Sequence, residues 1–164
     1  MVVDEIENSH RRFSEIFLAG IPGLLNDDGA YLSFICVFAG IEALAGYRYS
    51  DVKGKGDRFR SFVTEYFEAR YGPLANQIWD LRNSMIHCFS PKHFALCHHQ
   101  SHLHFTDQPP FLKVLNAEDV YAAFVQASEK YFQQLKSDSR IQTLFHKRLT
   151  DPEGGGLYVV AGGA

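Results

Sequence analysis

Apolar residues recur at helical spacing along most of this chain. From about Asp4 to Ala19, Ile6, Phe13 and Phe17 mark one face of a helix that should end before Pro22-Gly23. The segment from about Asp28 to Tyr47 is apolar nearly all round: Tyr31, Phe34, Ile35, Phe38 and Ile41 lie on one side and Leu32, Val37 and Leu44 elsewhere. That is the pattern of a helix at the centre of a bundle. After the polar loop YSDVKGKGD, Phe59, Phe62, Val63, Tyr66 and Phe67 predict a third helix from about Asp57 to Arg70. Tyr71-Gly72-Pro73 breaks it, with Pro73 suited to the first turn of a fourth helix that runs to about Cys88.

Beyond Pro91 the period changes. FALCHHQSHLHFT alternates in steps of two on either side of His99-Gln100-Ser101, which predicts a short β-hairpin, and FLKVL at 111–115 is a candidate further strand. Asn116 is a suitable N-cap for a long helix to about Leu135, with Val120, Phe124, Ala127, Tyr131 and Leu135 as its stripe. A last helix from Asp138 to Leu149 closes at Asp151-Pro152, and EGGGLYVVAGGA reads as a flexible tail. The expected fold class is therefore mostly all-α: an up-and-down helical bundle with a small β-hairpin inserted after the fourth helix. Residues 1–150 form the domain and 151–164 the tail.

Composition narrows the function. Of 164 residues, 46% are hydrophobic and 14% aromatic, enough for a packed core rather than a disordered chain. The net charge of −3 excludes a generic basic coat for duplex DNA, so any nucleic-acid contact must be local. Cys36, Cys88 and Cys97 sit in apolar or His-rich surroundings, and the chain shows no signal peptide and no apolar run long enough for a bilayer. The expectation is a reduced, cytoplasmic protein with no membrane partner.

The fourth helix carries the unusual chemistry, in the stretch LRNSMIH at 81–87. On a wheel of about 100° per residue, Leu74, Ile78, Leu81, Met85 and Cys88 define the core face. Asn83 lies opposite, with Asn76 and His87 beyond it, Trp79 and Ile86 on its other side and Arg82 at the edge between the faces. A helix with a core face and a second face mixing Trp79 and Ile86 with polar groups suits a partner or a ligand. Glu42 falls within the apolar stripe of the second helix, where an unpaired carboxylate is costly. Arg82 is its candidate partner. The basic loop Lys53, Lys55, Arg58 and Arg60 reads as a solvated face that could follow an RNA backbone.

Arg82, Asn83 and His87 match the signature of the HEPN superfamily: an Arg, four to six residues, then a His, with a polar residue often following the Arg. FAGIEALAG at 38–46, FRSFVTEYF at 59–67 and IWDLRNSMIHCF at 78–89 resemble successive helices of the plasmid and phage-defence type of HEPN domain, over roughly residues 4–136. The resemblance implies a homodimer around the motif helix and, in many members, a metal-independent endoribonuclease with a composite site at the dimer axis. Carried over residue by residue, it makes Arg82, Asn83 and His87 the catalytic candidates, with Glu42 and Asn76 as supporting candidates. Trp79 and Ile86 would form the dimer face. It also implies RNA as substrate, a toxin or defence role, and an antitoxin or nucleotidyltransferase as candidate protein partner. The alternative is a non-catalytic dimeric module of the same fold that binds RNA, a nucleotide or a protein.

A metal offers the competing chemistry. His93, His98, His99, His102, His104 and Cys97 are ligand types, and His102 and His104 would point the same way on a strand. No C-x-x-C or H-x-x-x-H pair appears and no second half of a four-ligand set is evident, so no metal and no cofactor is expected.

Overall fold

The computed structural model describes residues 2–151; the Gly-rich tail lies outside them, apart from Asp151. Helix α1 (Val2–Phe13) continues as a π-helical turn to Leu18, and Ile21–Leu24 forms a 3-10 turn through Pro22. Helix α2 spans Ala30–Arg48, α3 Lys55–Tyr66 and α4 Ala75–Cys88, the last entered through a 3-10 turn at Gly72–Leu74. Strands β1 (Phe94–Cys97) and β2 (Lys113–Asn116) precede α5 (Ala117–Ser137) and α6 (Ser139–Leu149). The architecture is mostly helical with a small β insertion.

Local sequence explains the helix starts. Asn26 accepts hydrogen bonds at its side chain from the backbone of Asp28 (3.2 Å) and Gly29 (2.9 Å), which feeds the chain into α2. Gly54 takes a φ of 93°, a left-handed turn open to glycine, before α3. Asp138 caps α6 by accepting from the backbone of Arg140 and Ile141. α3 ends at Tyr66, earlier than the expected Arg70, and Phe67 turns into extended backbone.

Helix α2 is central, as its all-round apolarity predicts, and packs on α3, α4, α5 and α6. Phe34, Phe38, Ile41 and Leu44 are buried beside Phe59 and Phe62 of α3 and Phe124 and Tyr131 of α5. At Gly40 the helix meets the Phe124 ring edge-on, so closely that a Cβ would overlap its Cζ. Yet the burial of α2 is incomplete: Leu32 is 50% exposed and Ala39 is also on the surface. Contrary to the sequence expectation, this 19-residue helix is long and apolar enough by composition to cross a bilayer, with mean hydropathy 1.6, although half of it is buried within the fold. Away from α4, a polar network ties α2, α3 and α5 together. Arg48 donates to Tyr66 (2.7 Å) and Glu65 (2.8 Å), Tyr49 donates to Glu65 (2.5 Å), and Tyr66 donates to Gln134 (2.7 Å).

The β insertion corrects the expected hairpin. β1 pairs with β2 in parallel, Phe94 opposite Lys113 and Cys97 opposite Asn116, and the segment 98–112 crosses between them. The returning arm of the would-be hairpin forms a 3-10 turn at Ser101–Leu103 instead. The first turn of α5 explains why. Glu118 accepts the backbone N–H of His99, Asn116 accepts that of Gln100 and Asp119 accepts from the Ser101 hydroxyl. These bonds tie residues 99–101 to the start of α5. Asn116 stands at the N-cap position, but its side-chain oxygen serves Gln100 rather than its own helix.

Candidate functional site

The motif lies on the second half of α4. Leu81 and Met85 are buried beneath it, whereas Cys88, expected on the core face, is exposed because the helix ends there. Arg82 is half-buried. Its Nη2 donates to Glu42 of α2, the pairing expected from the sequence, and Nη1 donates to Asn83 Oδ1 at 3.0 Å. Its guanidinium carbon stands 5.4 Å from the centre of the Trp79 ring. Glu42 also has Lys55 Nζ at 3.9 Å from its other oxygen. Two helices thus hold the guanidinium plane from both ends, which a single-point cation such as lysine could not reproduce.

His87 sits one turn beyond Asn83 and is exposed. Among the described residues it has no hydrogen-bond partner, so its imidazole is open to solvent and to anything docked on this face. Asn83 orients Arg82 rather than His87, a role that the wheel alone did not assign. Asn76, also exposed, lies in the first turn of α4, about 16 Å from His87 along the axis at the helical rise, and does not join the cluster.

The expected dimer face divides. Trp79 is half-buried, 5.3 Å from the Phe59 ring, with Gly56 of α3 so close that a Cβ there would sit 3.0 Å from the indole nitrogen. Most of its surface is used within the chain. Ile86 is 45% exposed, and next to it Phe89 is 80% exposed. Phe89 ends the helix in the left-handed conformation (φ 52°), its N–H bonded to Ser84, and its ring lies 4.7 Å from that of Tyr31. Leu32 is a further exposed apolar side chain, on α2. Phe89 and Leu32 were missed by sequence reasoning; the available signal was that α2 has no polar face to give to water.

The histidines after α4 do not share one face. His102 is exposed in the 3-10 turn, while His93 stands 3.5 Å from Asp80. His104 is half-buried: its Nδ1 accepts from the Asn116 backbone at 3.1 Å and its Nε2 lies 3.0 Å from the Tyr71 hydroxyl. Cys97 is 3.7 Å from Asn116 Oδ1, with its thiol pushed up by burial and by Glu118 and Asp119. Burial, with Arg70 nearby, holds His104 below the usual histidine range despite Asp119.

Because the unfolded chain takes up a proton near pH 6.5 that folded His104 resists, this residue contributes stability that is full above that pH. The contribution is lost as pH falls toward the folded value. The melting-temperature gap between wild type and His104→Gln should therefore narrow from pH 7.5 to pH 5. A gap that stays constant would contradict the assignment.

Compared with protein-family models, with curated proteins and with solved structures, the chain matches none.

Proposed function

We propose that the chain is a metal-independent endoribonuclease of the HEPN type, acting on single-stranded RNA at a composite site between two copies. The observation that carries this reading is the pairing of a fixed guanidinium, held by Glu42 and Asn83, with an exposed imidazole, without a partner among the described residues, one turn further along the same helix.

In the proposed reaction, one His87 takes the proton from a ribose 2′-OH. The oxygen attacks the adjacent phosphorus, the bond to the 5′-oxygen breaks, and the leaving oxygen takes a proton from the other copy's His87. The products are a 2′,3′-cyclic phosphate and a 5′-hydroxyl. Of the five N–H donors of Arg82, one on each terminal nitrogen is engaged among the described residues and the Nε–H is buried, which leaves the second N–H of Nη1 and of Nη2 for the charge that builds on phosphorus. Lys53, on the loop that leads into α3, and Lys55, the first residue of α3, are both exposed, and Lys55 reaches the Glu42 end of the cluster, where an RNA backbone would pass.

The test is cleavage of a single-stranded RNA panel by untagged protein in EDTA, with end-group analysis for the cyclic phosphate and DNA as the resistant control. The alternative, a non-catalytic dimeric module for RNA, a nucleotide or a protein such as an antitoxin or nucleotidyltransferase, is favoured by one observation. Arg82 is only 19% exposed, a structural latch as much as a phosphate ligand. An RNA panel that stays intact decides for that module.

The composite site requires a dimer. The exposed Ile86 and Phe89, next to His87 at the end of α4, are suited to a second copy packed across a two-fold axis. Light scattering should show a dimer at micromolar concentration, and Ile86→Glu should give a monomer with an unchanged helical signal. A monomeric wild type would remove the basis for a shared site.

A further inference from the structure

The loop before α2 and the turn after β1 bring together side chains that are far apart in sequence. Asp27, His98 and His99 each offer a ligand atom within 4.8 Å of the others. Asp27 Oδ1 and His98 Nδ1 are 3.6 Å apart. Zinc bonds of about 2.0–2.2 Å to nitrogen and oxygen place neighbouring tetrahedral ligands roughly 3.3–3.5 Å apart, so this pair needs only a slight contraction to share an ion.

The backbone prepares the arrangement. Successive residues of a strand point to opposite faces, but His99 is left-handed (φ 53°), and its ring lies 4.7 Å from that of His98. Among the described residues His98 Nδ1 is buried without a hydrogen-bond partner, an unsatisfied polar atom that a cation would satisfy. His99 Nδ1 lies 2.7 Å from Glu118 of α5, whose two carboxylate oxygens also accept the His99 backbone N–H at 3.1 Å each. A carboxylate bound to one ring nitrogen fixes the tautomer that leaves Nε2 basic, the usual outer support of a metal-bound histidine. Asp27 is 88% exposed, so the approach is open.

We propose that Asp27, His98 and His99 form a binding site for one zinc-class divalent cation, with Glu118 positioning His99 and solvent completing the coordination. The site is independent of the α4 chemistry, which needs no metal. It revises the sequence expectation of no metal because the ligand that completes the histidine pair comes from a loop some seventy residues away, where no spacing motif could announce it.

The test uses untagged full-length chain, stripped with chelator, titrated with zinc chloride by calorimetry and with cobalt(II) by visible absorption. One equivalent per chain should bind at micromolar or tighter affinity, with a cobalt spectrum that saturates at the same ratio. Asp27→Ala, His98→Ala and His99→Ala should each weaken binding more than tenfold. Glu118→Gln should weaken it about tenfold while keeping the stoichiometry. If a histidine variant loses its fold, Asp27→Asn at the nearly fully exposed carboxylate tests the same site. Absence of saturable binding, or binding that survives the Asp27→Ala/His98→Ala double variant, would overturn the proposal.

Discussion

His87→Ala should reduce RNA cleavage by about 10²–10⁴-fold or more, the range for loss of a positioned acid–base group, and leave the circular dichroism spectrum and melting temperature essentially unchanged. The clean separation follows from the exposed position of the imidazole, which has no partner among the described residues and whose loss strands no buried group. Arg82→Ala should also stop cleavage, but it removes the donor from a half-buried Glu42 and should cost about 1–3 kcal/mol of stability. The double variant Arg82→Ala/Glu42→Gln should recover much of that stability while remaining inactive, which separates the chemical part of Arg82 from its structural part. Asn83→Ala, which loosens Arg82 without removing it, should have a smaller effect on rate. Labelled RNA and gel analysis check all four, and full activity in His87→Ala would sink the nuclease reading.

The largest stability effect is expected at the crossing of α2 and α5. Phe124 is fully buried, and its ring fills the space that Gly40 leaves open. Phe124→Ala should cost about 3–5 kcal/mol, the range for removing a core phenyl ring. Gly40→Ala should cost about 1–3 kcal/mol despite the better helix propensity of alanine, because its Cβ meets the ring and not solvent. Combined, the two should cost less than their sum, since the methyl group enters the space the ring has vacated. Urea denaturation of the four proteins measures this coupling. Strict additivity would mean that the ring and the glycine are not the contact that matters.

Much of this was legible in the sequence, for identifiable reasons. The helices announce themselves through apolar spacing over ten or more residues, and α2 through having apolar residues on every side. The Glu42–Arg82 pair was legible because a carboxylate in an apolar stripe requires a donor, and Arg82 lies at the edge of the neighbouring core face. The hairpin was misread because alternation reports which way side chains point and not which strand is the neighbour. Glu118, Asn116 and Asp119, whose side chains reach back to the turn, lie far along the chain from the alternating segment and carry no sign of that contact in its pattern. Trp79 looked like interface on a wheel of one helix, but Gly56 of another helix leaves room for it to pack inward. Asp27 carried no pattern at all, because its meaning depends on a contact between distant segments.

The parallel pairing of β1 and β2 has a consequence for the order in which the chain acquires its structure. A tight turn cannot zip such a ladder; the whole of 98–112 must first be closed as a loop, and that entropy is spent before any strand bond forms. β2 runs directly into α5, so the ladder, the seating of α5 and the meeting of the turn with Glu118 belong to one cooperative step. The ladder and the seat of α5 are therefore acquired together, whereas α4 has its main packing on α2 and α3, outside that step.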